Sequence, residues 1–187
     1  MIFSKLNQVA EGVKGGVAGG LSGVGDIASS VVGVVKDTAV TTIKGTGELA
    51  SKGLEVSASI VSGAFTGLSE IGMATVGAVR GVVDGAVQGY MEAGGDQEEA
   101  VRGAVAQSIH DAKDLGLNVA DTAVEAVTGA IDAVKQVGGD TVKGTSDAVV
   151  AALDAAQDIG GDTVEAVTQA LKSGVDGASN VIDEMKK

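Results

Sequence analysis

The strongest constraint on this chain is a 22-residue period. Asn118–Gly139, Asp140–Gly161 and Asp162–Asp183 align without a gap, with Ile131, Leu153 and Val175 in one column and Asp132, Asp154 and Asp176 in the next. Stepping back by 22 brings Ile109, Val87, Phe65, Ile43 and Leu21 into the first column, so eight units tile residues 8–183. Apolar residues recur every three or four positions within a unit, as Ala10, Val13, Val17, Leu21, Val24 and Ile27 do in the first. Across all units only Thr46, Ser57, Glu98 and Thr145 break these columns. The Gly-Gly-Asp-Thr sequences suggest a β-solenoid, but strands require strict alternation, and a spacing of three and four is helical.

Twenty-two is twice eleven, and eleven residues make three turns at about 3.67 residues per turn. Such a stripe stays on one face of a nearly straight helix and covers roughly 120° of it. It is carried by Val17, Leu21, Ile27, Ala39, Ile43, Leu49, Val61, Phe65, Leu68, Ile71, Val83, Val87, Tyr90, Val105, Ile109, Leu115, Val127, Ile131, Val137, Val149, Leu153, Ile159, Leu171, Val175 and Val181. Glycine rows such as Gly77, Gly81, Gly85, Gly89 and Gly15, Gly19, Gly23 lie opposite. They fit either close helix approach or a small-residue polar face. An acidic column also lies there: Asp26, Glu48, Glu70, Glu92, Asp114 and Asp158, with Gln136 and Asn180 completing it. Lys14, Lys36, Arg80 and Arg102 follow one edge of the stripe.

The fold expected is all-α: an extended amphipathic helix of eight units, continuous in the first half and kinked or folded back in the second. After a lead-in of residues 1–7, the near-neutral repeats cover 8–95, the acidic repeats 96–183, and a tail 184–187. Boundaries Ala28-Ser29, Ala50-Ser51 and Gly72-Met73 read as passable for a helix. Gly94-Gly95-Asp96, Gly138-Gly139-Asp140 and Gly160-Gly161-Asp162 combine a helix stop with an N-cap. Glu99, Asp121 and Glu165 stand where a capping box needs them.

Composition sharpens this. The chain has no Pro, which a long helix requires, but its 30 Gly each cost a helix about 1 kcal/mol relative to Ala. Two Phe, one Tyr and no Trp leave Val and Ala to supply the apolar surface. A lone helix of this kind is unstable unless its stripe lies against something. The net charge of −12 divides into −2 up to Gly95 and −10 beyond it. This excludes nucleic acid as a partner and places the two halves in different surroundings. Without Cys there is no disulfide or thiolate chemistry.

No catalytic constellation is visible, and the chain reads as a non-enzyme with no cofactor and no metal site. His110 reads as a solvated side chain, and the periodic carboxylates as a wetted face. One carboxylate per turn is far from the six to eight oxygens that calcium takes, so Asp96, Asp140 and Asp162 read as caps. The opening residues lack the apolar run of a secretory signal, and the longest charge-free stretch, Val56–Ser69, is shorter than the ~20 residues of a spanning helix. The expected location is cytoplasmic and peripheral to a membrane or lipid-bounded surface.

The opening Met-Ile-Phe-Ser-Lys-Leu-Asn-Gln-Val-Ala-Glu-Gly-Val-Lys-Gly-Gly-Val resembles the start of the synucleins. Residues 36–47 and 142–149 resemble the 11-residue repeats of perilipins, and exchangeable apolipoproteins share the 22-residue unit but punctuate it with Pro. The resemblance implies a helix that forms on membranes or lipid droplets. Absence of the synucleins' paired lysines points to neutral or packing-defective surfaces. Two functions follow as expectations: a coat on a lipid or other apolar surface, or a scaffold of several copies burying the same stripe against each other.

Overall fold

The computed structural model describes residues 2–21, 27–46 and 53–187, and the side chains of 4–21, 30–45 and 53–187. These residues form nine helices: α1 (Ile2–Leu21), α2 (Ile27–Thr46), α3 (Gly53–Glu70), α4 (Val76–Glu92), α5 (Gln97–Asp114), α6 (Val119–Gln136), α7 (Thr141–Ile159), α8 (Thr163–Gly174) and α9 (Ala178–Met185). Among the described residues there is no strand.

Helix breaks come from local chemistry. At Gly94 the chain turns with φ of +99°, a conformation that costs a residue without Cβ little. There the Gly95 amide donates to Tyr90 O and the Gly94 amide to Met91 O, at 2.9 and 3.0 Å, the paired bonds of a Schellman stop. The same pair recurs at Gly72, Gly116 and Gly138. The next helix is then started by a side chain: Asp96 accepts from the Glu99 amide, Asn118 from Asp121 and Asp140 from Lys143, at 3.2, 3.0 and 3.0 Å. Asp162, expected to cap α8, makes no such bond. The capping box at Glu99 is not closed either, because its carboxylate accepts instead from the Tyr90 hydroxyl at 3.1 Å.

Among the described residues, each helix packs only on its neighbours one and two places along the chain. Odd-numbered helices therefore form one layer and even-numbered helices a second. Consecutive helices are antiparallel: Gly12, Gly16 and Gly20 of α1 face Thr42, Thr38 and Val34 of α2. Helices within a layer are parallel: Gly63 and Gly67 of α3 meet Ala10 and Lys14 of α1, and Gly85 and Gly89 of α4 meet Val32 and Lys36 of α2. A Cβ at Gly67 would stand 2.7 Å from Lys14 O and one at Gly85 2.6 Å from Val32 O, so glycine is what lets these backbones approach. The glycine row of α4 thus serves close helix contact at Gly85 and Gly89.

The expectation of one extended helix, unbroken through the first half, is not met. The chain stops at Gly72 with the same hydrogen bonds that stop it at Gly94, and α1 and α2 lie side by side. The physical reason is the one that made a lone helix improbable. Folding back supplies each stripe with apolar surface from its own chain, and the glycines that weaken an isolated helix become contact points.

Candidate functional site

The stripe is the core of this stack. Val17, Leu21, Ala39, Ile43, Val61, Phe65, Leu68, Val83, Val87, Tyr90, Val105, Ile109, Val127, Val149, Leu153, Leu171 and Val175 are buried. Ile71, Ile131, Val137, Ile159 and Val181 are half-buried, and Leu115 is exposed at the end of α5. Leu49 and the side chain of Ile27 lie outside the described residues, as do Asp26, Glu48 and Gly23. The most enclosed segment is Gly81–Tyr90 of α4, in which every residue is buried. Among the described residues the large exposed apolar side chains are Leu54, Leu115, Val142 and Met185. Among the described residues, these exposed apolar side chains do not join into one continuous apolar face.

Of the residues that broke the apolar columns, Ser57 and Glu98 find partners on other helices, while the side chain of Thr46 lies outside the described residues. The buried Ser57 hydroxyl donates to Ala100 O at 2.7 Å, tying α3 to α5. Glu98 accepts from Lys143 of α7 at 2.6 Å and lies 3.3 Å from Arg102. This pairing holds the Glu98 carboxyl below its ordinary range and raises the Lys143 ammonium above its own.

Periodic charges, read from sequence as a solvated face, join helices within a layer. Lys14 pairs with Glu70 at 2.9 Å, Lys36 with Glu92 at 3.6 Å, Arg80 with Asp132, and Arg102 with Asp154 at 3.8 Å. His110 Nε2 lies 3.8 Å from Asp158, so it too faces a neighbouring helix. The signal was present in the sequence, since each cation column finds its carboxylates two helices later, at 56 or 52 residues. Partly exposed pairs of this kind each contribute about 0–1 kcal/mol, so they set register more than stability.

Two carboxylates missed by sequence reasoning are withdrawn from water. Asp84 of α4 accepts from Gln88 at 2.7 Å and from Gln136 of α6 at 3.2 Å. Burial raises its pKa despite those donors. Asp111 of α5 is pushed up to about 6, chiefly by burial and further by Asp114, while the Gln107 amide, at 2.8 Å, opposes the rise. Its Oδ2 is buried without a hydrogen-bond partner. Asp111 borders a shallow cavity of about 370 Å³ between α3 and α5, with Phe65, Thr66, Glu70 and Asp114 in its wall. No nucleophile–base pair lies there, and among the described residues no group of three His, Cys, Asp or Glu is placed to hold a metal ion.

No helix among the described residues is long and apolar enough to cross a membrane. No protein-family model, no curated protein and no solved structure matches this chain.

Proposed function

We propose that this is a non-enzymatic amphipathic-helix protein that keeps its apolar stripe closed within the stack and lays it on a lipid or other apolar surface when the stack opens. The observation that carries the reading is the single-sidedness of the helices. The described stripe side chains are mostly covered by other helices of the same chain, largely through small Val and Ala contacts, and the described turns from Gly72 onward are short and glycine-based. Burial in a lipid interface would replace one apolar environment with another at little net cost, the condition for a reversible coat. Scarcity of cations on the polar faces directs this coat to neutral rather than anionic lipid. Such a protein would act at the cytoplasmic side of a membrane or lipid-bounded surface.

The chain has no Trp, so Phe65→Trp places one reporter in the core. With phosphatidylcholine vesicles carrying brominated acyl chains, the protein should float with the lipid and its fluorescence should be quenched. Failure to float, or flotation without quenching, rejects the reading, because the stripe would then not enter hydrocarbon.

A second reading, a scaffold built from folded copies, is favoured by a separate observation. Among the described residues, Gly15 and Gly19 of α1 and Gly33 and Gly45 of α2 meet nothing within 4 Å of a built Cβ. The outer side of the first helix pair is thus a surface of small residues with nothing against it.

A further inference from the structure

We propose that the break between α8 and α9 is a hinge. On an apolar surface it straightens, both pieces leave the stack, and residues 163–185 become one amphipathic helix that makes the first contact with lipid. The inference rests on the lipid reading and adds to it the place where opening begins. Units three to seven each form a single helix, α3 to α7, of 17–19 residues. The eighth unit is instead split within its length, into α8 of 12 residues and α9 of eight. Its sequence offers little to stop a helix there. Stops at Gly94, Gly116 and Gly138 carry Schellman bonds, and the helices after them start on a capping Asp or Asn. At this break Val175 is extended, with φ of −127° and ψ of 120°, and α9 starts at Gly177 with no side-chain cap bond. Two glycines permit the bend: Gly174 stands in the column of Ala130 and Ala152, and Gly177 in that of Ala133 and Ala155. Gly177 takes φ of +86°, which a residue with a Cβ adopts only with strain.

Joined, the two pieces carry one stripe. Val164, Val167, Leu171, Val175, Ala178 and Ile182 recur every three or four residues and fall within about 80° of one another on a continuous helix. Glu165, Gln169, Asp176, Asn180 and Asp183 lie opposite them. The hold of the stack on this segment is slight. α8 buries Val167 and Leu171, and α9 buries Ala178 and Ile182. Beside α9 a groove of about 570 Å³ stays open, walled by Val142 and Thr145 of α7 and by Asn180 and Val181. Eight residues are fewer than the ~12–15 that an isolated helix needs, so α9 is helical only while docked. Lys172 and Asp183 pair at 2.8 Å across the bend. The joined helix loses that pair, because 11 residues separate the partners by about 16 Å along its axis. Segments held by so few contacts open before the core does. What this one exposes on release, Val175, Ala178 and Ile182, is the face that a lipid interface covers again.

The test is the distance between spin labels at Glu165→Cys and Glu184→Cys in the full chain, which has no Cys of its own. In water the labels should lie close together, as the Lys172–Asp183 pair requires. On phosphatidylcholine vesicles they should separate to about 28 Å, the length of 19 helical residues. A Cβ at Gly177 would meet only Thr145, at 3.8 Å, so Gly177→Ala strains the bend without a clash and should raise vesicle partitioning about tenfold. Lys172→Glu should act in the same direction, and Lys172→Glu with Asp183→Lys should restore wild-type partitioning. A chain that does not float with the vesicles rejects the lipid reading and the hinge together. Flotation with the labels still close, partitioning unchanged by Gly177→Ala, or a charge exchange that restores nothing overturns the hinge alone.

Discussion

The first four helices and the last five are held by different means. In α1–α4 the specifying contacts are tertiary: Gly63, Gly67, Gly85 and Gly89 admit a neighbouring backbone, and α4 starts at Thr75 without a side-chain cap bond. In α5–α7 they are local as well, with Asp96, Asn118 and Asp140 each closing the first turn of its helix. Charge follows the same division, near neutral before Gly95 and strongly acidic after it. A near-neutral, glycine-rich segment has weak helices that depend on being packed. The acidic, capped segment has helices that start and stop where their own sequence dictates.

The largest effect should come from filling a glycine contact in the first part. Gly85→Leu would set side-chain atoms against Val32 O and the Val35 side chain, forcing α2 and α4 apart. A loss of about 3 kcal/mol or more in denaturant unfolding is expected. Gly15→Ala, on the open side of α1, should leave stability unchanged or raise it by about 0.5–1 kcal/mol. Equal losses from both would break the distinction between contact glycines and surface glycines.

A second measurement compares the buried carboxylates, Asp84 with two amide donors from α4 and α6, Asp111 with one donor and an unpartnered oxygen. Because the folded-state pKa of Asp111 is raised to about 6, the folded state holds its proton more tightly than the unfolded chain does. Its contribution favours folding below about pH 4 and is lost as pH rises through about 6. Asp111→Asn should thus stabilise the protein by about 1–2 kcal/mol at pH 8 and make little difference at pH 4. A stability gain equal at both pH values would show that the change acts through packing instead.

The smallest effect concerns the caps. Asp140→Ala should cost about 1 kcal/mol, because the Lys143 amide loses its acceptor. Asp162→Ala, at a position that makes no cap bond, should change thermal stability by only a few tenths of a kcal/mol. Should the two prove equal, the local signals of the second part are not what starts its helices.

Helical character and the identity of the core were legible because they are written in a period of three and four. Phe65, Val87 and Ile109 are buried where the stripe placed them. Stops and starts at Gly94-Gly95-Asp96 and Gly138-Gly139-Asp140 were legible because capping is a local property of a few residues. What covers the stripe was not. Twenty-two residues rotate a helix only about 40° past six full turns, so the stripe stays in line whether the chain runs straight or folds back. The stop at Gly72 escaped notice because Met73 follows it rather than a second glycine and an aspartate. Pairs such as Lys14–Glu70 and Arg80–Asp132 escaped for another reason, since only the choice of layer brings residues 56 and 52 apart into contact.

Because every helix rests on the one two before it, the stack has a parity. Losing a single helix would send each later helix to the opposite layer, reverse its direction, and separate Lys14 from Glu70 or Arg80 from Asp132. Losing a consecutive pair would leave every remaining helix in its own layer. In the interior of such a chain, a change of length in steps of two helices keeps both layers intact, whereas an odd step exchanges the layers of everything that follows.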